Sequence, residues 1–169
     1  MEIGKALAAA IDFEKRVAAA YGDAIKGARA PEAIRVFRLL EREERDHVAY
    51  LEYKLSLWRS EGALDAADLG TEVPSAEEFR EGVAKIKALA RRPAPPEEVG
   101  ALKRALDLER ETSDFYSRLA ATLDAEGRSF FARFLEIEDG HLALVAAELS
   151  ALERTGYWFD LAEFDLESA

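Results

Sequence analysis

A chain of 169 residues, 49% apolar and 34% charged, can bury one substantial core, and it is neither disordered nor carries the roughly 20-residue apolar run that a membrane-spanning helix needs. With 23 Lys and Arg against 34 Asp and Glu the net charge is -11, which repels a phosphate backbone and argues against nucleic acid as a partner. The absence of cysteine removes disulfides, iron-sulfur clusters, thiol nucleophiles and Cys-based zinc or iron sites, so any metal must be held by oxygen and imidazole.

Ala, Leu, Glu, Arg and Lys dominate the composition while Val, Ile and Thr are few, which predicts an all-α fold. The N-terminal stretch meets charged residues too early for a secretory segment and reads as the first turns of a helix, so a cytoplasmic location is expected. Helix punctuation falls at Gly27 and Pro31, between Ser60 and Pro74, between Arg92 and Pro96, between Asp124 and Gly127, and at Gly156. Four long helices fit between these marks, over residues 3–27, 31–59, 96–123 and 128–154. A short extra helix over 75–90 is predicted by the capping box Ser75 and Glu78. The first and last connections span only a few residues and force antiparallel neighbours, whereas about 35 residues separate the second long helix from the third. Two hairpins joined by one long crossover, over about residues 60–95, make residues 1–154 a four-helix bundle. Residues 155–169 form a tail, and its run Tyr157-Trp158-Phe159 with Phe164 is too aromatic to be free, so it is expected to pack on the bundle or on a partner subunit.

The inward stripes contain residues that an apolar core should not hold. The first helix runs Ile3, Leu7, Ala10, Glu14, Val17, Tyr21 and Ile25, and the third runs Leu102, Leu106, Glu109, Ser113, Tyr116, Leu119 and Leu123. The second reads Ile34, Phe37, Glu41, Glu44, His47 or Val48, Leu51 and Leu55, and the fourth Phe131, Phe134, Glu138, His141, Val145, Leu149 and Leu152. Each of these last two carries a Glu-x-x-His pair on its inner face. An unpaired buried carboxylate costs several kcal/mol, so four together require compensation. No Lys or Arg occupies the adjoining inward positions, and two divalent cations would cancel the charge, with imidazoles completing their coordination.

Geometry points the same way. Glu14 and Glu44 are equidistant from the turn between Gly27 and Pro31, about 22 Å from it at 1.5 Å per residue, and Glu109 and Glu138 are equidistant from the start of the last turn. Within each Glu-x-x-His the two side chains project from one face about a turn apart and can reach a common centre. The halves also repeat: Glu14 and Tyr21 correspond to Glu109 and Tyr116 at an offset of 95, and Glu44 and His47 to Glu138 and His141 at an offset of 94. Glu14, Glu44, His47, Glu109, Glu138 and His141 are therefore the candidate metal ligands. Tyr21 and Tyr116 are either core residues with satisfied hydroxyls or hydrogen-bond donors to a ligand carboxylate, or both. Glu41 and Glu111 lie near the inner faces and are candidates for one additional ligand.

This pattern resembles the rubrerythrin branch of the ferritin-like di-iron carboxylate proteins: a Glu seven residues before a Tyr, then Glu-x-x-His, then both again after a crossover. The likeness spans residues 3–154. It implies a ferritin-like bundle with two iron ions, Glu44 and Glu138 bridging them, Glu14 with His47 completing one and Glu109 with His141 the other. It also implies reduction of hydrogen peroxide. Rubrerythrins carry a Cys-ligated rubredoxin module; here there is no cysteine, so a separate electron-donor protein is expected. The expected partners are thus hydrogen peroxide or O₂, that donor and a second copy of the chain in a homodimer, with no nucleic acid and no membrane. Bacterioferritin-like ferroxidase or iron storage is the main alternative, without haem because the only methionine is Met1. A di-iron oxygenase and a non-catalytic metal-binding module are the others. Glu and His accept Mn and Zn as well as Fe.

Overall fold

A computed structural model describes residues 2–85 and 94–158. Among the described residues there are five helices and no strand: α1 Ile3–Gly27, α2 Pro31–Glu61, α3 Ala76–Lys85, α4 Pro96–Ala121 and α5 Ala125–Thr155. Pro31 and Pro96 each open a helix, where a missing N–H costs nothing. The second helix runs two residues beyond the predicted end, to Glu61, and Gly62 closes it in the left-handed region at φ 71° while its amide bonds to the Trp58 carbonyl. The last helix begins three residues earlier than predicted. Asp124, read from sequence as part of a turn, is its N-cap and accepts the Gly127 amide at 3.0 Å. The Ser75–Glu78 capping box forms as expected, each residue bonding the other's backbone amide. Residues 86–90 of the predicted short helix and 86–93 of the crossover lie outside the described residues.

Side-chain pairs fix the directions of the helices. Tyr21 meets Glu109 and Tyr116 meets Glu14, so α1 and α4 run antiparallel. His141 meets Glu44 and His47 meets Glu138, so α2 and α5 do too. The short connections make α1–α2 and α4–α5 antiparallel hairpins. It follows that α2 and α4 are parallel, and the chain between them must travel back along the helices, as the length of that connection predicted. Its first part is tied down by Tyr50 Oη donating to the Ala67 carbonyl (2.8 Å), the Lys54–Asp65 ion pair (2.8 Å) and the Leu64 amide donating to Glu126 (2.9 Å). Further on, the chain crosses α5 so closely that a Cβ at Gly140 would meet the Pro74 carbonyl oxygen at 3.0 Å.

The apolar interior falls into two clusters. One gathers Leu7, Ala10, Leu51 and Leu119 with Phe130, Phe131 and Phe134; the other gathers Val17, Phe37, Leu40, Leu102, Leu144 and Leu152. Between them lies a buried polar layer. On α2 the buried face is rotated from the predicted stripe: Ala33, Val36, Leu40 and Glu43 are buried, whereas Ile34, Glu41, Val48 and Leu55 are only half-buried. Ile25, Leu106 and Ser113 of the other stripes are also half-buried. From the aromatic tail, Trp158 docks on the helices, its indole N–H donating to Glu98 (2.7 Å) and its ring meeting Phe37 edge-on. Residues 159–169 lie outside the described residues, and with them Phe159 and Phe164.

Candidate metal centre

The polar layer holds all six candidate ligands, each at most 1% exposed. They reach it because one inward position in each of α1 and α4, and two a turn apart in each of α2 and α5, fall at the same level. Their ligand atoms form two four-membered groups, Glu14, Glu44, His47 and Glu138, and Glu44, Glu109, Glu138 and His141. Within each group the atoms lie within 4.8 Å of one another. Glu44 and Glu138 belong to both. His47 Nδ1 is 3.4 Å from Glu44, 3.3 Å from Glu138 and 4.0 Å from Glu14. His141 Nδ1 donates to Glu44 at 3.0 Å and sits 3.4 Å from Glu138. The imidazoles stack nearly parallel with centroids 5.6 Å apart.

The tyrosines are both core residues and donors to carboxylates, but across the repeat and not within it: Tyr21 donates to Glu109 and Tyr116 to Glu14. Each half of the chain thereby orients a carboxylate of the other. Neither Glu41 nor Glu111 joins the cluster. Glu41 is paired with Arg45 at 2.7 Å at the edge of α2, and Glu111 is exposed. The further carboxylate that does approach is Glu43, which sequence reasoning missed. It is 5% exposed, its Oε2 lies 3.7 Å from His141 Nε2, and it accepts the Thr71 hydroxyl and, at 3.1 Å, the Glu72 amide. Its signal in the sequence was weak, because the repeat offset that pairs the other ligands places the apolar Ile137 opposite it.

Protons and metal ions compete to neutralise such a layer. Burial, reinforced by the charge of Glu44, raises Glu14 well above the usual carboxylate range. Burial raises Glu109 to about 8, outweighing the pull of His141. Burial opposes the ionisation of Glu44, but hydrogen bonds from Glu14, His141 and His47 hold it well below the usual range. Burial alone would also lower both histidines; contacts with Glu138 and Glu44 bring His47 to about 9, and Glu138, Glu43 and Glu44 raise His141 well above its ordinary value. Burial likewise pushes both tyrosines up, so their hydroxyls stay protonated and donate. Without a metal ion the two imidazoles, once protonated, supply positive charge within the layer.

What protons do not supply is a full set of bonds. Glu14 Oε2, Glu44 Oε2, Glu109 Oε2, both oxygens of Glu138, both nitrogens of His47 and His141 Nε2 are buried without a hydrogen bond. Such orphans each cost about 1–3 kcal/mol, and carboxylate oxygens and imidazole nitrogens converging at these separations match the donor set of Fe, Mn or Zn. The residues present fit a metal ion.

No protein-family model, curated protein or solved structure matches this chain. Fold and site together define an all-helical protein with a buried carboxylate–imidazole cluster able to hold metal. Among the described residues no helix is long and apolar enough to cross a membrane.

Proposed function

We propose that the chain is a ferritin-like, rubrerythrin-type oxidoreductase that binds two iron ions and reduces hydrogen peroxide with electrons from a separate donor protein. The observation that carries this reading is that the two four-membered ligand groups share Glu44 and Glu138. Glu14 and His47 would complete one position and Glu109 and His141 the other, which is the ligand division that the resemblance to rubrerythrins implies. Paired helical hairpins with a crossover that returns along their length suit the same class.

Two Fe(II) ions held there would supply one electron each, which with two protons is what converts hydrogen peroxide into two waters. The protein's part is positioning and exclusion of solvent. Tyr21 and Tyr116 hold Glu109 and Glu14 by one oxygen each and leave the other facing the centre. Phe134 packs against the edge of His47 and the face of Tyr116, closing one end of the layer with an apolar wall. The groups that carry protons without metal, Glu109 at about 8 and His47 at about 9, must release them on loading, so metal uptake is coupled to proton release.

The test is anaerobic reconstitution with Fe(II), counting ions per chain and following oxidation by peroxide and by O₂. The reading requires about two ions per chain, faster oxidation by peroxide, and loss of binding in Glu44→Ala. A stoichiometry near one, or undiminished binding in that variant, refutes it. Assembly into a hollow shell of many subunits by light scattering would favour iron storage.

A further inference from the structure

The repeat makes the two halves of the centre near-equivalent, and Glu43 breaks that equivalence. His47 and His141 are related by the offset of 94, as are Glu44 and Glu138. The same operation takes Glu43 to Ile137, which is buried and apolar. A carboxylate therefore stands behind His141, whereas the residue that the repeat relates to it is a buried, apolar isoleucine. Glu43 comes within 4.8 Å of a nitrogen of each histidine, but only His141 lies within ion-pair distance, with Nε2 at 3.7 Å. His141 Nδ1 faces the centre through Glu44 and Glu138, so its Nε2 points the other way, buried and without a hydrogen bond.

We propose that Glu43 is a positioning residue for His141 alone: it accepts the Nε2–H when Nδ1 holds a metal ion, and so makes the two metal positions unequal in affinity. This inference rests on the metal-binding reading above and deepens it. A ligating imidazole is oriented, and its basicity raised, by whatever accepts its second N–H. Glu43 is suited to that role because it is itself held. The Thr71 hydroxyl and the Glu72 amide, both on the crossover, donate to its two oxygens, and the Thr71 hydroxyl in turn accepts the Val73 amide at 3.0 Å. The same segment is seated on α5 at Gly140, the residue before His141, where the absence of a Cβ permits the approach of the Pro74 carbonyl. Thus the crossover, besides connecting α2 to α4, fixes the carboxylate that aims one ligand. At His47 both ring nitrogens lack a hydrogen bond and the ring abuts Phe134, so that imidazole has packing but no comparable acceptor.

The probe is Co(II) alone, titrated into the full chain and followed by calorimetry and by its visible bands. The wild type is expected to take up two ions in two steps of unequal affinity. In Glu43→Ala one step weakens about 10–100-fold while the other changes less than about threefold, and Glu43→Gln, which keeps an acceptor oxygen, recovers most of the loss. A readout that needs no metal accompanies it: in metal-free protein the ring ¹⁵N signals of His141 move in Glu43→Ala while those of His47 do not. If Glu43→Ala does not fold, Thr71→Val, which removes one of the donors holding the carboxylate, is expected to weaken the same step by a smaller factor. Two ions bound with both steps unchanged, or both weakened alike, overturn the inference and leave the metal centre standing. Complete loss of an ion without recovery in Glu43→Gln makes Glu43 a direct ligand and overturns the positioning role. A wild type that binds no Co(II) removes the metal reading and this inference together.

Discussion

Loading the centre with two divalent ions should expel protons in a number set by the metal-free layer. Four ionised carboxylates and two neutral imidazoles carry a charge of about -4, which four protons bring to zero in the metal-free state as two divalent ions do in the loaded one. The structure says where those protons sit. Glu14 and His141 are raised well above their ordinary values, Glu109 to about 8 and His47 to about 9, so Glu109 and His47 are mostly protonated at pH 7. Ligation needs bare carboxylates and imidazole nitrogens, but a histidine bound through one nitrogen keeps the proton on the other, so each imidazolium still gives up one. Binding two ions at pH 7 therefore releases at least about two protons per chain, and the overall two-ion constant rises at least about 10²-fold per pH unit there. At pH 9 Glu109 has lost nearly all of its proton and His47 half of its own, so the release from these two falls to about 0.6. Calorimetric titration with Zn(II) in buffers of different ionisation enthalpy gives the count as the slope of observed enthalpy. A value of about one or less at pH 7 would show that protons do not neutralise the layer, or that the ions bind elsewhere, and the electrostatic reasoning fails.

The same groups make the metal-free protein sensitive to alkali. Glu109 and His47 have folded values above their unfolded ones, so the stability they contribute is complete below about pH 4.5 and 6.5 respectively and is lost as pH rises through about 8 and 9. Thermal melts of chelated protein should therefore fall from about pH 5 to pH 9, while the metal-loaded protein does not follow; a flat profile for the chelated form contradicts the assignment. Glu43 has the opposite sign. Burial opposes its ionisation, but contacts with His141, Thr71 and the Glu72 amide lower it to about 2, so its contribution is lost as pH falls below about 4.5. Glu138→Ala removes a ligand common to both groups and should reduce binding below two ions per chain and abolish metal-dependent oxidation, with helix content by circular dichroism unchanged. Unchanged turnover would count against it. Tyr116→Phe leaves a buried oxygen of Glu14 without its donor and should cost about 1–2 kcal/mol in urea unfolding of the metal-free form, with Tyr21→Phe similar at Glu109. Equal stability of both variants and wild type would show that these bonds carry no net weight.

Helix number, most helix ends and the six side chains that cluster were legible in the sequence because the signals are local. Proline opens α2 and α4, glycine closes α2 and α5, and the spacing of apolar residues identifies which glutamates share a face with them. Counting back from each turn then puts Glu14 level with Glu44 and Glu109 with Glu138. Where local signals conflicted, the reading slipped. Asp124 belongs to both turn and cap vocabularies, and its side-chain bond to Gly127 settles it as a cap. On α2 the cluster of acidic residues at 41, 43 and 44 offers several possible faces, and only packing against the neighbouring helices buries Glu43 and leaves Glu41 beside Arg45.

The residues of the cluster, then, were determined by sequence alone, since period and turn position place a side chain on a helix without reference to anything distant. Which half each side chain serves was decided by the tertiary structure: Tyr21 and Tyr116 cross to the opposite repeat, and Glu43 draws its donors from Thr71 and Glu72 on the crossover. Those partners are 88, 102, 28 and 29 residues away along the chain, separations at which periodicity carries no information and only the packing of helices against one another chooses the neighbour.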